Sequence, residues 1–156
     1  MKKFVSLLSV LLIVLMSLAL GACDGSTSKV QNVSSGGYMV IPVSELSSSV
    51  RFYPVNVDGK RMEVMAAKDS SGRVRTAFNT CKVCYDSGKG YYKQSGNKIV
   101  CQNCKNAFTV SDLETSSDGC IPWPIYSSDK AIVNGEVRIS YDFLKRSASI
   151  FANWKK

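Results

Sequence analysis

The chain has 156 residues, six cysteines, a formal net charge of +8 and no histidine. Without histidine, the sequence excludes zinc proteases, catalytic triads with a histidine base, c-type haem attachment and histidine-ligated Rieske clusters. The basic residues are scattered, with no basic helix and no nucleic-acid-binding module, so we expect no nucleic-acid partner and interpret the charge as a solubility feature.

The first residues have the order of a secretory signal. Two lysines precede an apolar run, residues 4–20, which ends in small residues directly before Cys23. This order predicts a lipoprotein signal peptide over residues 1–22 and lipid attachment to the Cys23 sulfur; a plain signal peptide or an N-terminal membrane anchor is the alternative. The lipid would hold the protein on the extracytoplasmic face of the cell membrane. Residues 23–37, rich in serine and glycine, predict a flexible tether.

Residues 38–156 predict one domain that is mainly β, with hairpins and a short C-terminal helix. Strands are expected at residues 38–43, 50–57, 61–68 and 73–78. The last two form a hairpin that leads to Cys81. A second hairpin, with strands at 90–94 and 98–100, leads to Cys101.

The C-terminal part predicts a turn, a strand and a helix. Residues 119–125, GCIPWPI, contain two prolines that exclude a helix. Residues 131–139 contain an Asn-Gly turn followed by a strand. Helical spacing places six residues on one face of the final helix: Phe143, Leu144, Ser147, Ile150, Phe151 and Trp154. Ser140 or Asp142 is predicted to cap its start.

The segment CKVCYDSGKGYYKQSGNKIVCQNC, residues 81–104, contains two Cys-x-x-Cys pairs, each just after a predicted strand. Their spacing falls in the zinc-ribbon range and predicts a metal held by four thiolates. The predicted ligands are Cys81, Cys84, Cys101 and Cys104. Thiolates select soft or borderline metals, so the pattern indicates zinc or iron without choosing between them. Cys120 is a fifth candidate, either an exchangeable ligand or a neighbouring thiol. Four aromatic residues are expected either to wall the site or to belong to the ordinary core: Tyr91, Tyr92, Phe108 and Trp123.

Other interpretations of these cysteines compete with a redox metal. Disulfides suit an exported protein, but residues 38–156 contain an odd number of cysteines, and a Cys-x-x-Cys disulfide closes a very small loop. A thiol–disulfide exchanger needs a reactive pair at a helix N-terminus, whereas these pairs follow strands. A structural zinc site stays open, because such a site contributes folding free energy directly. Met62 and Met65 raise the idea of copper, although methionine in an alternating strand usually fills a core.

Between residues 76 and 125 the sequence contains TAFNTCKVCY, GYYKQSGNKIVCQNCKNAF and GCIPWPI. In order and spacing these segments resemble the signature of the FtrD-like membrane iron–sulfur-containing protein family. The resemblance implies a membrane-attached protein with a metal or iron–sulfur centre, linked with bacterial iron uptake through an iron permease. It matches the four paired cysteines to the family's pairs and Cys120 to its Gly-Cys-x-Pro motif. Lys105 departs from the pattern, because a glycine is common there and would allow a tight turn.

The local order of cysteine pairs, hairpin and proline loop is also similar to Rieske ferredoxin domains, where two histidines replace two cysteines. An all-thiolate centre would have a lower reduction potential than a Rieske cluster. We therefore expect a lipid-anchored protein with an iron–sulfur cluster or iron, zinc being the alternative cofactor. Its expected role is electron transfer or iron handling in iron uptake, with an iron permease system or another redox protein as partner.

No nucleophile–base pair is visible, so we predict a metal-binding or electron-transfer protein rather than an enzyme. The alternative functions are a structural-zinc lipoprotein that binds a partner protein and an extracytoplasmic thiol–disulfide oxidoreductase. The sequence also predicts that Cys120→Ser weakens metal retention less than Cys101→Ser does.

Overall fold

The computed structural model of the protein describes residues 28–115 and 118–156. The predictions for residues 1–22 and for Cys23 lie outside these residues. Within the described part of the chain, no helix is long and apolar enough to cross a membrane.

Five strands form the largest sheet, in the order β1-β3-β4-β5-β9. They are β1 (Gln31–Val33), β3 (Arg51–Val57), β4 (Lys60–Lys68), β5 (Val74–Cys81) and β9 (Pro122–Pro124). All neighbours pair antiparallel except β1, which is parallel to β3. The predicted hairpin that leads to Cys81 is confirmed as β4 and β5. The proline segment is not helical, as predicted, and its centre is an edge strand, where the missing proline N–H groups cost least.

The strand β1 lies inside the segment predicted as a flexible tether. The prediction does not hold there, because β1 pairs with β3 from Gln31 opposite Val55 to Val33 opposite Val57. The Gln31 amide also bonds both backbone groups of Val40, at 2.8 and 2.9 Å. A strand of three mostly polar residues is too short to show the alternation of apolar and polar residues from which a strand is predicted.

Two three-stranded sheets complete the fold. One has the order β10-β11-β2 and contains β10 (Ala131–Val133), β11 (Glu136–Ser140) and β2 (Tyr38–Pro42). The other has the order β6-β7-β8 and contains β6 (Tyr92–Ser95), β7 (Lys98–Cys101) and β8 (Ala107–Phe108). Strands β6 and β7 are the predicted second hairpin. The Asn134-Gly135 turn between β10 and β11 is also confirmed, with both residues at positive φ, as a tight type I′ hairpin requires.

The expected short C-terminal helix is α1 (Tyr141–Arg146), followed by a 3₁₀ turn, Ala148–Phe151. Ser140 caps α1 by accepting a hydrogen bond from the Phe143 N–H at 3.3 Å. Ser147 then donates its hydroxyl to the Phe143 carbonyl at 2.9 Å. The α-helix ends at this point, and the 3₁₀ turn carries the rest of the apolar face.

The strand β4 separates two apolar clusters because its side chains alternate in direction. Met62 and Val64 point into the main core, which also contains Ile41, Phe78, Ile139 and Leu144. Met65 points to the other side, into a second cluster that we call the cysteine core. Its buried members are Val50, Met65, Ala67, Ala77, Cys81, Cys84, Tyr92, Ile99, Cys101, Val110 and Leu113. Met62 and Met65 therefore pack in different cores and form no copper pair.

Candidate metal centre

The first cysteine turn, residues 81–84, begins where β5 ends. The Cys81 N–H donates to the Gly90 carbonyl at 2.7 Å, which ties the end of β5 to the start of the second hairpin. The Cys84 carbonyl accepts hydrogen bonds from the N–H and the hydroxyl of Ser87, at 3.0 and 2.7 Å. These contacts fix the backbone at both cysteines, so the two sulfurs have little freedom to separate.

Gly90 packs directly against the first cysteine turn. A Cβ atom at this position would lie 2.2 Å from the Cys84 carbonyl oxygen and 2.8 Å from the Tyr85 backbone nitrogen. Both contacts are with backbone atoms, which cannot rotate away as a side chain can. Only glycine allows the two segments to approach this closely. This role was not predictable from a local motif, since the contact joins two separate segments of the chain.

The second cysteine turn, residues 101–104, follows β7 in the same way. The Cys101 N–H donates to the Asn106 carbonyl at 2.9 Å, and the Lys105 N–H donates to the Cys101 carbonyl at 3.1 Å. Lys105 has a φ of 65°, in the left-handed region. A glycine would adopt this conformation without strain. The lysine keeps the turn, and its ammonium group donates to the Gln102 carbonyl at 2.7 Å.

Cys120 reaches the first cysteine turn through the pairing of β9 with β5. The ladder places Pro122 opposite Cys81, after a register shift between Phe78 and Cys81. Just beyond it, the Lys82 N–H donates to the Ile121 carbonyl at 2.9 Å. Cys120 is therefore held beside the turn by backbone hydrogen bonds on its C-terminal side.

Four sulfur atoms lie together, all within 4.8 Å of one another: those of Cys81, Cys84, Cys104 and Cys120. We call these the sulfur cluster. All five cysteines of the domain are free thiols. The sequence predicted Cys101 among the four main ligands and Cys120 as a fifth. The structure brings Cys120 into the cluster. Cys101 is fully buried and its side chain hydrogen-bonds that of Cys104, so it lies next to the cluster without being one of the four mutually close sulfurs.

The spacing of these sulfurs can be compared with that of known thiolate sites. Four sulfurs bound to one ion at about 2.3 Å stand about 3.8 Å apart at the corners of a tetrahedron. The sulfur cluster needs only a small contraction to reach this geometry. In a cluster of several irons, the thiolates bind different metal atoms and must stand farther apart. After that contraction the donor set suits one iron or zinc ion, whereas a cluster of several irons requires the sulfurs to move apart.

The thiols of the site do not ionise alike. Burial raises the pKa of Cys101 to about 12, and burial together with the neighbouring Cys104 raises the pKa of Cys120 to about 12. Burial also opposes ionisation of Cys104, but the Asn106 N–H and neighbouring thiols hydrogen-bond its sulfur and hold its pKa below the usual value. Metal binding must displace the remaining protons, so the affinity of this site rises with pH.

The four predicted wall residues do not share one location. Tyr92 and Phe108 pack in the cysteine core with their rings 6.2 Å apart. Tyr92 also donates its hydroxyl to the Cys120 carbonyl at 3.3 Å. Trp123 packs against the main core and meets Tyr85 edge to face, and Tyr91 lines a neighbouring cleft.

Asn79 is a structural support of the site that the sequence did not reveal. It is 1% exposed and lies on β5, two residues before Cys81. Its side-chain oxygen accepts the Tyr92 N–H at 2.6 Å, and its backbone carbonyl accepts the Trp154 indole N–H at 2.7 Å. The residue thereby ties β5, β6 and the C-terminal segment together behind the cysteines.

Comparison with known proteins identifies one family. A family model described as membrane iron-sulfur containing protein FtrD-like matches residues 43–151. No curated protein and no solved structure matches the chain. The matched range contains both cysteine turns and Cys120.

Proposed function

The chain belongs to the FtrD-like family of membrane iron-sulfur containing proteins, and on that premise we propose that it carries a thiolate-ligated iron centre for electron transfer or iron handling. The observation that supports this most directly is the sulfur cluster, with its four thiols within 4.8 Å. Four thiolates at this spacing suit a soft or borderline cation and offer no oxygen ligands for calcium or magnesium.

Cys81, Cys84, Cys104 and Cys120 are the proposed ligands. When bound, iron on thiolates supplies one-electron redox chemistry. The protein holds the four sulfurs at fixed spacing and shields one side of the site, where Cys81 and Cys84 are buried. Cys104 and Cys120 are partly buried, so a partner would approach from their side. Electrons would enter and leave through this side.

We propose an iron permease system or another redox protein as the partner, on the support of the family's membrane description. A lipid on Cys23 is the proposed membrane attachment, and the first strand, β1, begins at Gln31, eight positions later. Such a short connection would keep the metal centre near the extracytoplasmic face of the cell membrane, where a membrane-bound partner could reach it. The support for the anchor is the sequence order of the signal peptide together with the membrane description of the family.

Zinc is the second candidate because the same four sulfurs suit it equally well. Zinc has no redox chemistry, and a closed four-thiolate zinc site usually stabilises a fold. The function would then be that of a structural module that binds a partner protein.

The test is to purify the full-length chain from membranes in mild detergent without oxygen. Its visible spectrum, iron, zinc and acid-labile sulfide are then measured per chain. We expect a coloured protein with one iron and no labile sulfide, because the sulfur spacing fits a single ion. Labile sulfide with several irons would keep the redox role but contradict the single-ion site, and colourless protein with one zinc would contradict the redox role.

The anchor is tested separately by Cys23→Ser. We expect this variant to leave the membrane fraction and to keep its metal, because Cys23 is not part of the sulfur cluster. A variant that stays in the membrane after signal processing would contradict the lipid anchor.

A further inference from the structure

A basic cleft with a volume of about 950 Å³ opens beside the second hairpin. Its size lies in the range of small-molecule sites in proteins. Five lysines line it, against one acidic side chain, that of Glu63. The lysines are Lys89, Lys93, Lys105, Lys155 and Lys156.

The walls of the cleft are built from separate parts of the chain. Strand β6 supplies Lys93 and Gln94 on one side, and Val50 and Phe52 lie on the other. The Gln94 side chain bridges the walls, because its oxygen accepts the Val50 N–H at 2.8 Å. Tyr91 adds a half-buried aromatic surface. The cleft thus has walls joined by a hydrogen bond, an apolar surface and a strong positive charge.

The single carboxylate does not neutralise the lysines. Glu63 already accepts the Asn79 amide at 2.6 Å and pairs with Lys155 at 3.2 Å. Lys89 and Lys93 form no ion pair with any residue that the structure describes. Several ammonium groups that share one concave surface repel each other, and an anion that binds between them relieves this repulsion.

We propose that this cleft binds a small organic anion with two or more carboxylate groups. Lysine ammonium groups supply the donors for carboxylate oxygens, and the amides of Gln94 and Gln102, which each donate one hydrogen bond to a backbone carbonyl, retain a second N–H. Val50, Phe52 and Tyr91 supply an apolar surface for a carbon skeleton, which inorganic phosphate does not have. The concave shape favours a small molecule over a flat protein surface.

The cleft and the metal centre share a wall, because Asn79, Tyr92 and Gln102 line the cleft and also pack at the cysteine turns. Tyr92 lines the cleft and also belongs to the cysteine core, and none of the cysteines lines the cleft. A bound polycarboxylate would lie close to the second cysteine turn, next to Lys105. The proposal goes beyond the metal-based function and does not depend on the identity of the metal.

The proposal is tested by calorimetric titration of the full-length protein with citrate, at 0.15 M salt to screen non-specific attraction. Triethyl citrate serves as the neutral counterpart and pyrophosphate as the inorganic anion. The test variant is Lys89→Gln with Lys93→Gln. The matched control is Lys60→Gln with Lys98→Gln, which removes the same charge outside the cleft. Metal content is measured on every sample, so that a lost metal centre is recognised separately.

We expect saturable citrate binding to the wild type, weakened about tenfold or more in the test variant and less than about twofold in the control. Triethyl citrate should not bind. Absence of saturable binding at millimolar citrate would overturn the proposal. Equal weakening in both double variants would also overturn it, because the attraction would then come from net charge alone. Tighter binding of pyrophosphate than of citrate, or binding of acidic proteins without citrate, would overturn the carboxylate assignment.

Discussion

The two cysteine turns share a motif and a strand-to-turn setting, yet they contribute differently to the sulfur cluster. The first turn provides both of its sulfurs, those of Cys81 and Cys84, whereas the second provides only that of Cys104. The fourth sulfur comes from Cys120, on a separate segment held by β9. Motif spacing therefore shows that thiols will meet, but the pairing of a distant strand decides which of them complete the site.

The turns also differ in their support. The first is packed against Gly90, and the C-terminal segment is tied to the strand before it through Asn79. The second is held by short-range hydrogen bonds, by the Gln102 N–H, which donates to the Tyr91 carbonyl at 2.8 Å, and by a lysine in a left-handed conformation. We therefore expect substitutions around the first turn to lower the free energy of unfolding more than substitutions around the second. At the second turn, a substitution can raise it.

The largest effect is expected for Gly90→Ala, which disrupts the packing against the first turn. The added methyl group would collide with the Cys84 carbonyl, and the backbone would have to shift. We expect a loss of more than about 3 kcal/mol in the free energy of unfolding, together with loss of metal. Urea unfolding and metal analysis measure the two effects.

Gly96→Ala is the matched control, since Gly96 lies in the same hairpin and a Cβ there would meet no atom within 4 Å. Its φ of 59° still disfavours alanine, so we expect a cost of about 1 kcal/mol and unchanged metal content. Equal metal loss in both variants would show that the collision with the first turn is not the cause.

A smaller effect is expected for Trp154→Phe, which loosens the support behind the first turn. The change removes the indole N–H that donates to the Asn79 carbonyl at 2.7 Å but keeps an aromatic ring against Phe151. We expect a loss of about 1–2 kcal/mol. Hydrogen exchange should show the additional opening at the end of β5. If exchange rises evenly along the chain instead, the C-terminal segment does not support this turn in particular.

The smallest effect is expected for Lys105→Gly, which should improve the second turn. Glycine relieves the left-handed strain, which costs about 1 kcal/mol for other residues, but it also loses the hydrogen bond to Gln102 and gains unfolded-state entropy. We expect an unfolding free energy between unchanged and about 1 kcal/mol higher, measured by urea titration. A clear destabilisation would mean that the lysine hydrogen bond matters more than the strain.

The parts of the fold that local patterns encode were predictable. Alternating residues and turn signals gave the β4–β5 and β6–β7 hairpins, and the Asn134-Gly135 pair gave the last hairpin turn. The Cys-x-x-Cys spacing predicted that several thiols lie close together. Each of these signals lies within a few residues of the feature that it produces.

The parts that depend on contacts between distant segments were not predictable. The position of Cys120 beside the first cysteine turn follows from the register shift in β5 and from the pairing of β9. Gly90 looks like an ordinary loop glycine until Cys84 is placed beside it. The strand β1 is too short and polar to show a period, and its partner Val55 lies 24 residues away.

The central claim, that Cys120 and not Cys101 completes the metal site, is tested most directly by comparing Cys101→Ser with Cys120→Ser. Metal per chain is measured in both proteins, purified without oxygen. The geometry predicts that Cys120→Ser loses most of its metal and that Cys101→Ser retains it, with affinity lowered at most about 10–100-fold as for a supporting residue. This order is the reverse of the one that the sequence predicted. If Cys101→Ser loses its metal while Cys120→Ser keeps it, the assignment of the sulfur cluster as the metal site is wrong.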